Sequence, residues 1–466
     1  MLNNLITLLI HLCGLKQDNY KMKKLLLLLL IISPYLANAQ EIVNDTIKKE
    51  VSIDSLKQSL DEHTMKFGDI DERLATIESD LSKLTKIKLS GYMQVQYDMY
   101  DFQDDKGPVL GSSAQAPVTN SFHIRRARLK FAYETIEGIK FVLQPDFAVD
   151  KVSLKDAYVV LNDRWFMQTY SLTFGQFNRI NYDVEFSSGT REFLERSRMT
   201  TTLYPNERDL GAKLEANFMT KYEIPLKLQL AIFNGNFGQG AIANQVRDVD
   251  SNKDVMARAT YSFQFPSKGL GIDIGAHGYF GSTKVLPQAV TNPVTPPAVF
   301  SDQNNNNFTP VVGTTLKKDW FGVEAQIYYD FLGGTSLKGE YISGTISGSS
   351  NPLQTYTAFG ANKVRKFDGF YLSFTKNVGK HLQAAVRYDS FDPNSKLSGS
   401  NVTRADDLKY NTWTFAWQYF YDENVKIILG YTMPINEKSD LVAGDYATIN
   451  KDKKDNIFSI RLQARF

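Results

Sequence analysis

The constraint that most limits this chain is a period of two. Its last eleven residues, Asn456-Ile-Phe-Ser-Ile-Arg-Leu-Gln-Ala-Arg-Phe466, alternate between apolar and polar from Phe458 onward. Phe458, Ile460, Leu462, Ala464 and Phe466 fall on one face. Ser459, Arg461, Gln463 and Arg465 fall on the other. Successive side chains of a strand point to opposite faces, so the segment predicts a strand that is apolar on one side and wet on the other. The chain ends on it, with an aromatic carboxy-terminus.

The same pattern recurs from Lys88 onward. Leu210, Ala212, Leu214, Ala216 and Phe218 oppose Gly211, Lys213, Glu215 and Asn217. Trp413, Phe415, Trp417 and Tyr419 oppose Thr412, Thr414, Ala416 and Gln418. Sixteen strands are expected, at 88–102, 121–137, 139–149, 152–162, 165–177, 208–219, 224–235, 253–265, 270–283, 319–333, 335–345, 367–378, 381–393, 408–422, 424–434 and 456–466. Tight turns with Gly or Pro (Gly138, Pro266 to Gly269, Gly334, Gly379-Lys380) alternate with long polar connections, apart from a short one near Asp150-Lys151. Short turns on one rim and long loops on the other mark a transmembrane barrel. An even strand number puts both barrel ends on the short-turn rim. No run of eighteen apolar residues exists, so a bundle of membrane helices is excluded. Tyr and Phe number 24 and 30, and many, among them Tyr97, Tyr100, Tyr133, Phe280, Tyr328, Phe331, Tyr419 and Tyr421, stand near strand ends, where rings favour a lipid–water interface.

The N-terminal part reads differently. Lys23-Lys24, the apolar run Leu25 to Ile32 and the small-residue site Ala37-Asn38-Ala39 read as a secretory signal cut before Gln40, with residues 1–21 an extension upstream of Met22. From 53 to 84 the period is 3.5. Ile53, Leu60, Phe67, Leu74 and Leu81 take position a, and Leu56, His63, Ile70, Ile77 and Leu84 take position d. That seam predicts a helical coiled coil of three or four strands. The expected organisation is leader at 1–39, periplasmic coiled-coil segment at 40–88 and outer-membrane barrel at 89–466. The chain's one cysteine, Cys13, lies in the leader, so no disulfide or thiolate site is expected after cleavage. There are 53 Lys and Arg against 51 Asp and Glu, a balance with no pull on nucleic acid.

Several stretches resemble the phosphate-selective porin O and P family. They are Ser90-Gly91-Tyr92-Met93-Gln94, Phe122-His123-Ile124-Arg125-Arg126-Ala127-Arg128-Leu129, Phe174-Gly175-Gln176-Phe177, Phe193-Leu194-Glu195-Arg196-Ser197, Arg208-Asp209-Leu210-Gly211 and Ile232-Phe233-Asn234-Gly235, in that order along the chain. The resemblance spans roughly residues 89–466. It implies a trimeric sixteen-stranded barrel whose third loop folds into the pore, and a role for Phe466 in barrel assembly. The coil in front is similar to periplasmic coils on some members. Members include general and pyrophosphate channels as well as phosphate channels.

A channel's selectivity comes from the charged lining of its narrowest point. Alternation places Arg126, Arg128, Lys130, Arg258, Arg387, Arg461 and Arg465 on the lumen side, with Lys140 and Lys213. Barrel closure puts Arg126, Arg128, Lys130, Arg461 and Arg465 in one sector, a candidate anion path. The same cations can instead pair with Asp98, Asp146, Asp156, Glu215 and Asp389, which face the same way. Loop 178–207 is the expected constriction. Its Arg179, Arg191, Arg196 and Arg198 balance Asp183, Glu185, Glu192 and Glu195. No catalytic motif, metal-ligand spacing or cofactor loop is found, and the four histidines after the leader, His63, His123, His277 and His381, form no spaced pair of ligands. The expected function is passive outer-membrane diffusion of small hydrophilic solutes, anions preferred and phosphate-like anions included, by a homotrimer surrounded by outer-membrane lipid. The alternative is a structural outer-membrane protein whose coil tethers the membrane to the cell wall.

Overall fold

The computed structural model describes residues 86–102, 119–136, 138–148, 152–205, 207–235, 248, 251–285, 299–331, 333–348, 362–441, 449–452 and 455–466. The expected leader and coiled coil lie outside the described residues. Residues Lys83–Phe466 form one compact unit.

Among the described residues sixteen long strands close into an antiparallel barrel: β1 Ile87–Phe102, β2 Asn120–Ile136, β3 Ile139–Asp146, β4 Ser153–Asn162, β5 Tyr170–Asn178, β6 Arg208–Asn217, β7 Leu226–Phe233, β8 Asp254–Phe265, β9 Leu270–Lys284, β10 Thr315–Tyr329, β11 Thr335–Gly348, β12 Lys363–Val378, β13 Leu382–Asp392, β14 Tyr410–Phe420, β15 Val425–Asn436 and β16 Asp455–Arg465. Each pairs with its neighbours in sequence, and β16 pairs with β1 from Tyr92↔Arg465 to Phe102↔Asp455. Closure matters because a strand edge in lipid would leave its backbone groups without partners.

The seam ends in a reciprocal pair: Gly91 N donates to Phe466 O and Phe466 N to Gly91 O, both at 3.0 Å. Gly91 has no room for a side chain. A Cβ there would lie 2.6 Å from the Arg128 carbonyl oxygen and 2.7 Å from the Phe466 ring.

Polarity is inverted relative to a soluble protein. On β14, Trp413, Phe415, Trp417 and Tyr419 are exposed, whereas Thr412, Thr414, Ala416 and Gln418 are buried. On β16, Ile460 and Leu462 point out, and Ser459, Arg461 and Gln463 point in. The outer surface is therefore made for lipid. At the short-turn rim Phe166, Tyr170, Phe218 and Tyr222 form a chain of ring contacts, part of an aromatic girdle. Tyr100, expected at such an interface, instead points inward, 4% exposed, and donates to Asp98 at 3.0 Å. Its parity with the inward Gln96 and Asp98 decides this.

Boundaries shift where polar groups recruit extra backbone. The fifth strand starts at Tyr170 rather than 165, because Asp163 accepts from Tyr170 N at 2.7 Å and folds 163–169 into a turn. The tenth and twelfth strands start earlier than expected, at Thr315 and Lys363. The β12 extension carries Arg365, 1% exposed, which binds Asp407 at 2.7 Å and the Ser301 carbonyl at 3.0 Å. That anchor also organises a two-residue ladder, Phe300–Ser301 with Asn307–Phe308, inside a connection expected to be loop throughout.

Gly91→Leu should weaken barrel closure. Overpacking at a tight backbone approach costs about 1–3 kcal/mol. The expected result is a lower urea midpoint for the folded, heat-modifiable band on gels, with an unchanged slope.

Candidate functional site: a lumen crossed by the third loop

The connection from β5 to β6 turns inward. Two short helical turns shape it. In α1 (Tyr182–Glu185), Asn181 caps the N-terminus by accepting from Asp183 N and Val184 N at 3.1 and 3.3 Å. In α2 (Arg198–Leu203), Ser197 accepts from Thr200 N at 3.2 Å. One face of this stretch is apolar. Ile180, Tyr182, Val184, Met199, Leu203 and Tyr204 pack against inward-facing Phe233, Met256, Tyr279, Trp320, Ile342 and Phe367. Tyr279 stacks on Trp320 with centroids 3.9 Å apart, and the Trp320 indole donates to Tyr204 Oη at 2.9 Å. A polar lumen thus has one apolar wall where the loop sits.

The tip then crosses to the far side. Phe193 and Leu194 pack on Ala385, Ala416 and Ile428 of β13, β14 and β15. Leu194 lies over Gly430, where a Cβ would come within 1.9 Å of its Cδ1. A crossing chain exposes carbonyls with no ladder partner, and buried carbonyls need donors. The wall supplies them. Arg461 donates to Leu194 O at 2.6 Å, Gln463 to Gly189 O at 2.8 Å and Gln94 to Ser188 O at 3.1 Å. Gln418 donates to Glu192 O at 2.8 Å and Lys426 to Arg191 O at 3.1 Å. Arg387 donates to Glu195 O and Arg196 O at 3.0 and 3.2 Å.

Ion pairs complete the anchor. Glu195 accepts from Arg125 at 2.8 and 3.0 Å, from Arg126 at 3.2 Å and from Arg461 at 2.7 Å. Glu207, next to β6, gathers Arg191, Arg196 and Arg208 at 2.9, 2.8 and 2.6 Å. Glu192 pairs with Lys338. Arg198 lies 3.7 Å over the Tyr410 ring. At the root, Arg179 and Asp209 meet at 2.6 Å with no side-chain exposure on either partner.

The lumen arginines are therefore mostly engaged. Arg126 also donates to Gln94 at 2.9 Å. Arg128 binds Asp146 at 2.8 Å, Tyr92 Oη at 2.9 Å and Ser188 at 3.2 Å. Arg258 joins Glu185 and Glu324. Lys130 is half-buried, and Arg465 is exposed at the short-turn rim, donating to Glu423 O at 2.7 Å. Arg125 was missed by alternation. A β-bulge opposite Gln94/Val95 inserts it, so Arg125 and Arg126 both turn inward. The outward parity does switch between Phe122/Ile124 and Leu129/Phe131, and that is the signal in the sequence. Lys338, Lys426 and Glu207 were also missed.

Two cavities lined by described residues lie on the short-turn side of the loop. One of about 640 Å³ is lined by Glu192, Asp273, Tyr328, Asp330, Asn377 and Gln383 among others. The other, about 190 Å³, is lined by Thr190, Glu192, Gln418, Lys426, Gln463 and Arg465 among others. Glu192 borders both.

An apolar-outside barrel with a charged lumen and a loop folded across it defines an outer-membrane porin, a channel rather than an enzyme, at home in the Gram-negative outer membrane. The chain belongs to the phosphate-selective porin O and P family, whose model matches residues 91–466. Among solved structures, Pseudomonas putida OprB aligns with a TM-score of 0.53 at 9% identity, covering 83% of this chain and 96% of that one. OmpT of Vibrio cholerae aligns at 0.46 and 11%, covering 82% and 99%. Salmonella typhi OmpF aligns at 0.45 and 12%, covering 82% and 97%. At these identities the likeness concerns the fold alone. None of the curated proteins matches the chain.

Two outcomes follow from the anchor. Asp209→Ala leaves Arg179 buried without its counter-charge, which should cost about 3–5 kcal/mol, seen as a lower urea midpoint. The second concerns pH. Loss of water around Glu195 pushes its carboxyl up, but Arg125, Arg126 and Arg461 outweigh this and hold it well below the usual range. Glu207 is held low in the same way by Arg196, Arg191 and Arg208, again against burial. A depressed carboxylate stabilises the fold fully above its ordinary value, about 4.3, and loses that contribution as pH falls further. Protease resistance of the loop should be flat from neutral pH down to that value and decline below it.

Proposed function

We propose that the protein is a passive channel for small hydrophilic solutes that favours anions, with phosphate-like anions among them, and that it works as a homotrimer. The observation that carries the reading is the transverse division of charge in the lumen. The β16–β1–β2 sector bears Arg125, Arg126, Arg128 and Arg461 against Glu195, Asp146 and Asp98, with Lys130 and Arg465 nearer the short-turn rim. The opposite β8–β11 sector bears Glu324 and Glu340, with Glu185 of the loop, against Arg258, while its Lys318 is cancelled by Asp254 and its Lys338 by Glu192 of the loop. Strands 16, 1 and 2 lie half a turn of the barrel from strands 8 to 11. A solute in the gap therefore meets a field directed across its path, and anions follow the arginine side.

The partnering of these arginines argues for moderate preference. A guanidinium already holding a carboxylate and a carbonyl has few donors left for a passing anion. The trimer rests on the heptad seam at 53–84 and on the family's implied assembly. The alternative role, a wall tether with the barrel as anchor, requires no open lumen.

Planar-bilayer recording separates the two. Discrete single-channel steps are expected, and their absence from folded protein would leave the tether. Reversal potentials across a salt gradient should show anion preference, reduced severalfold in Arg126→Ala with Arg128→Ala. Unchanged selectivity in that double variant would remove the arginine sector from the mechanism.

A further inference from the structure

On the wall facing α1, three strands bring together His277 (β9), Glu324 (β10) and Glu340 (β11). They are 2%, 8% and 3% exposed. His277 Nδ1 lies 3.8 Å from Glu324 Oε2 and 3.8 Å from Glu340 Oε1. One donor atom from each residue lies within 4.8 Å of the other two. Neither ring nitrogen of His277 has a hydrogen-bond partner among the described residues, nor do Glu324 Oε2 and Glu340 Oε2. The remaining carboxylate oxygens are committed. Arg258 donates to Glu324 Oε1 at 3.0 and 2.6 Å, and Asn181 Nδ2 donates to Glu340 Oε1 at 2.5 Å.

Two features set this cluster apart from ordinary lumen polarity. Glu324 and Glu340 are direct cross-strand partners. Like charges so placed repel, and unsatisfied buried acceptors add a desolvation cost. Three carboxylates, counting Glu185, face one guanidinium, so if all three are ionised the guanidinium answers only one of them. The backbone also clears space for the ring and the carboxylate. Gly322 stands opposite His277, and a Cβ there would lie 2.2 Å from its Cε1 and 2.5 Å from its Nε2. Gly275 stands opposite Glu324, where a Cβ would lie 2.6 Å from Oε1.

We infer that His277, Glu324 and Glu340 bind a divalent transition-metal ion of the zinc class between the barrel wall and the constriction loop. One imidazole and two carboxylates form a borderline nitrogen–oxygen donor set that suits such ions. Ligand atoms around a tetrahedral zinc ion sit about 3.4 Å apart, given bonds near 2.1 Å. The two separations from His277 need to contract by a few tenths of an ångström, and the full span of the three donor atoms, within 4.8 Å, by more. A divalent charge cancels the excess, and three protein ligands leave a fourth position for water or solute. Because Glu340 also holds Asn181, the cap of α1, the ion couples the wall to the root of the loop. No spacing along the chain announces the cluster, since each ligand comes from a different strand.

The test uses the full-length barrel in detergent, stripped with EDTA. Zinc titration by calorimetry and cobalt binding by visible absorption should each report one ion per chain. Glu340→Gln and His277→Ala should each weaken zinc by more than about a hundredfold, beyond the loss typical of outer-shell changes. Heat-modifiable mobility confirms folding, and the near-isosteric Glu340→Gln carries the test if His277→Ala does not fold. Absence of stoichiometric binding, or binding unchanged in both folded variants, would overturn the site. So would an infrared band of a protonated carboxyl that vanishes in Glu340→Gln but persists when zinc is added, because a metal ion bound by the two acids displaces the proton they share.

Discussion

Every backbone N–H and C=O at membrane depth must find a partner within the chain, since hydrocarbon offers none. That demand shapes this protein twice. In the wall it forces closure, completed by the exchange of hydrogen bonds between Gly91 and Phe466. In the lumen a like demand arises from burial rather than from hydrocarbon, where the β5–β6 connection crosses from one side to the other. The crossing segment has carbonyls but no ladder, and Gln94, Arg387, Gln418, Lys426, Arg461 and Gln463 of the wall supply the donors. The lumen lining is in this sense a continuation of the sheet by side chains.

The requirement explains why so much of the interior is long and cationic. Arg and Lys reach inward from the wall and end in several donors, whereas Ser or Thr at the same positions stop short. Glu195 sits where three guanidinium groups converge, which ties the loop tip to β2 and β16 at once. On the other side the loop is held by apolar contact, with Val184, Met199 and Leu203 against Phe233, Met256 and Trp320. One side of the loop is thus fastened by charge and the other by burial. A change of pH or salt acts mainly on the first.

How much of this was legible in the sequence depended on the range of the interaction. Alternation is local, so the facing of Trp413, Phe415 and Trp417 or of Arg461 and Gln463 could be read directly, as could the strand number. The inward loop was an expectation carried by resemblance, and its charges, Arg191, Arg196 and Glu195 among them, were visible, though Glu207 was left out and makes five acids against four arginines. Their partners were not. Arg125 was hidden because a bulge breaks the period, and alternation assumes none. Lys338 and Lys426 were overlooked because nothing near them in the chain shows that a loop from 146 and 235 residues away reaches them. The apolar inward faces of β7 to β12 likewise contradict a simple polar-inside rule, and only the loop that covers them makes sense of Phe233 or Trp320.

The double use of the arginines bears on selectivity. A cation that only lined the pore could be tuned freely by substitution. One that also holds a loop carbonyl and a carboxylate cannot be removed without moving the constriction. Arg461 is the clearest instance: its guanidinium binds Gln96, Leu194 O and Glu195 together. Selectivity and pore shape are therefore coupled through the same side chains. The residues left to vary independently are those the loop does not engage, chiefly Lys130 and Arg465 toward the short-turn rim and Asp273 and Asp330 beside the larger cavity. The physical division runs between charges that build the constriction and charges that merely flank it, and adjustment to a particular solute is easiest among the second.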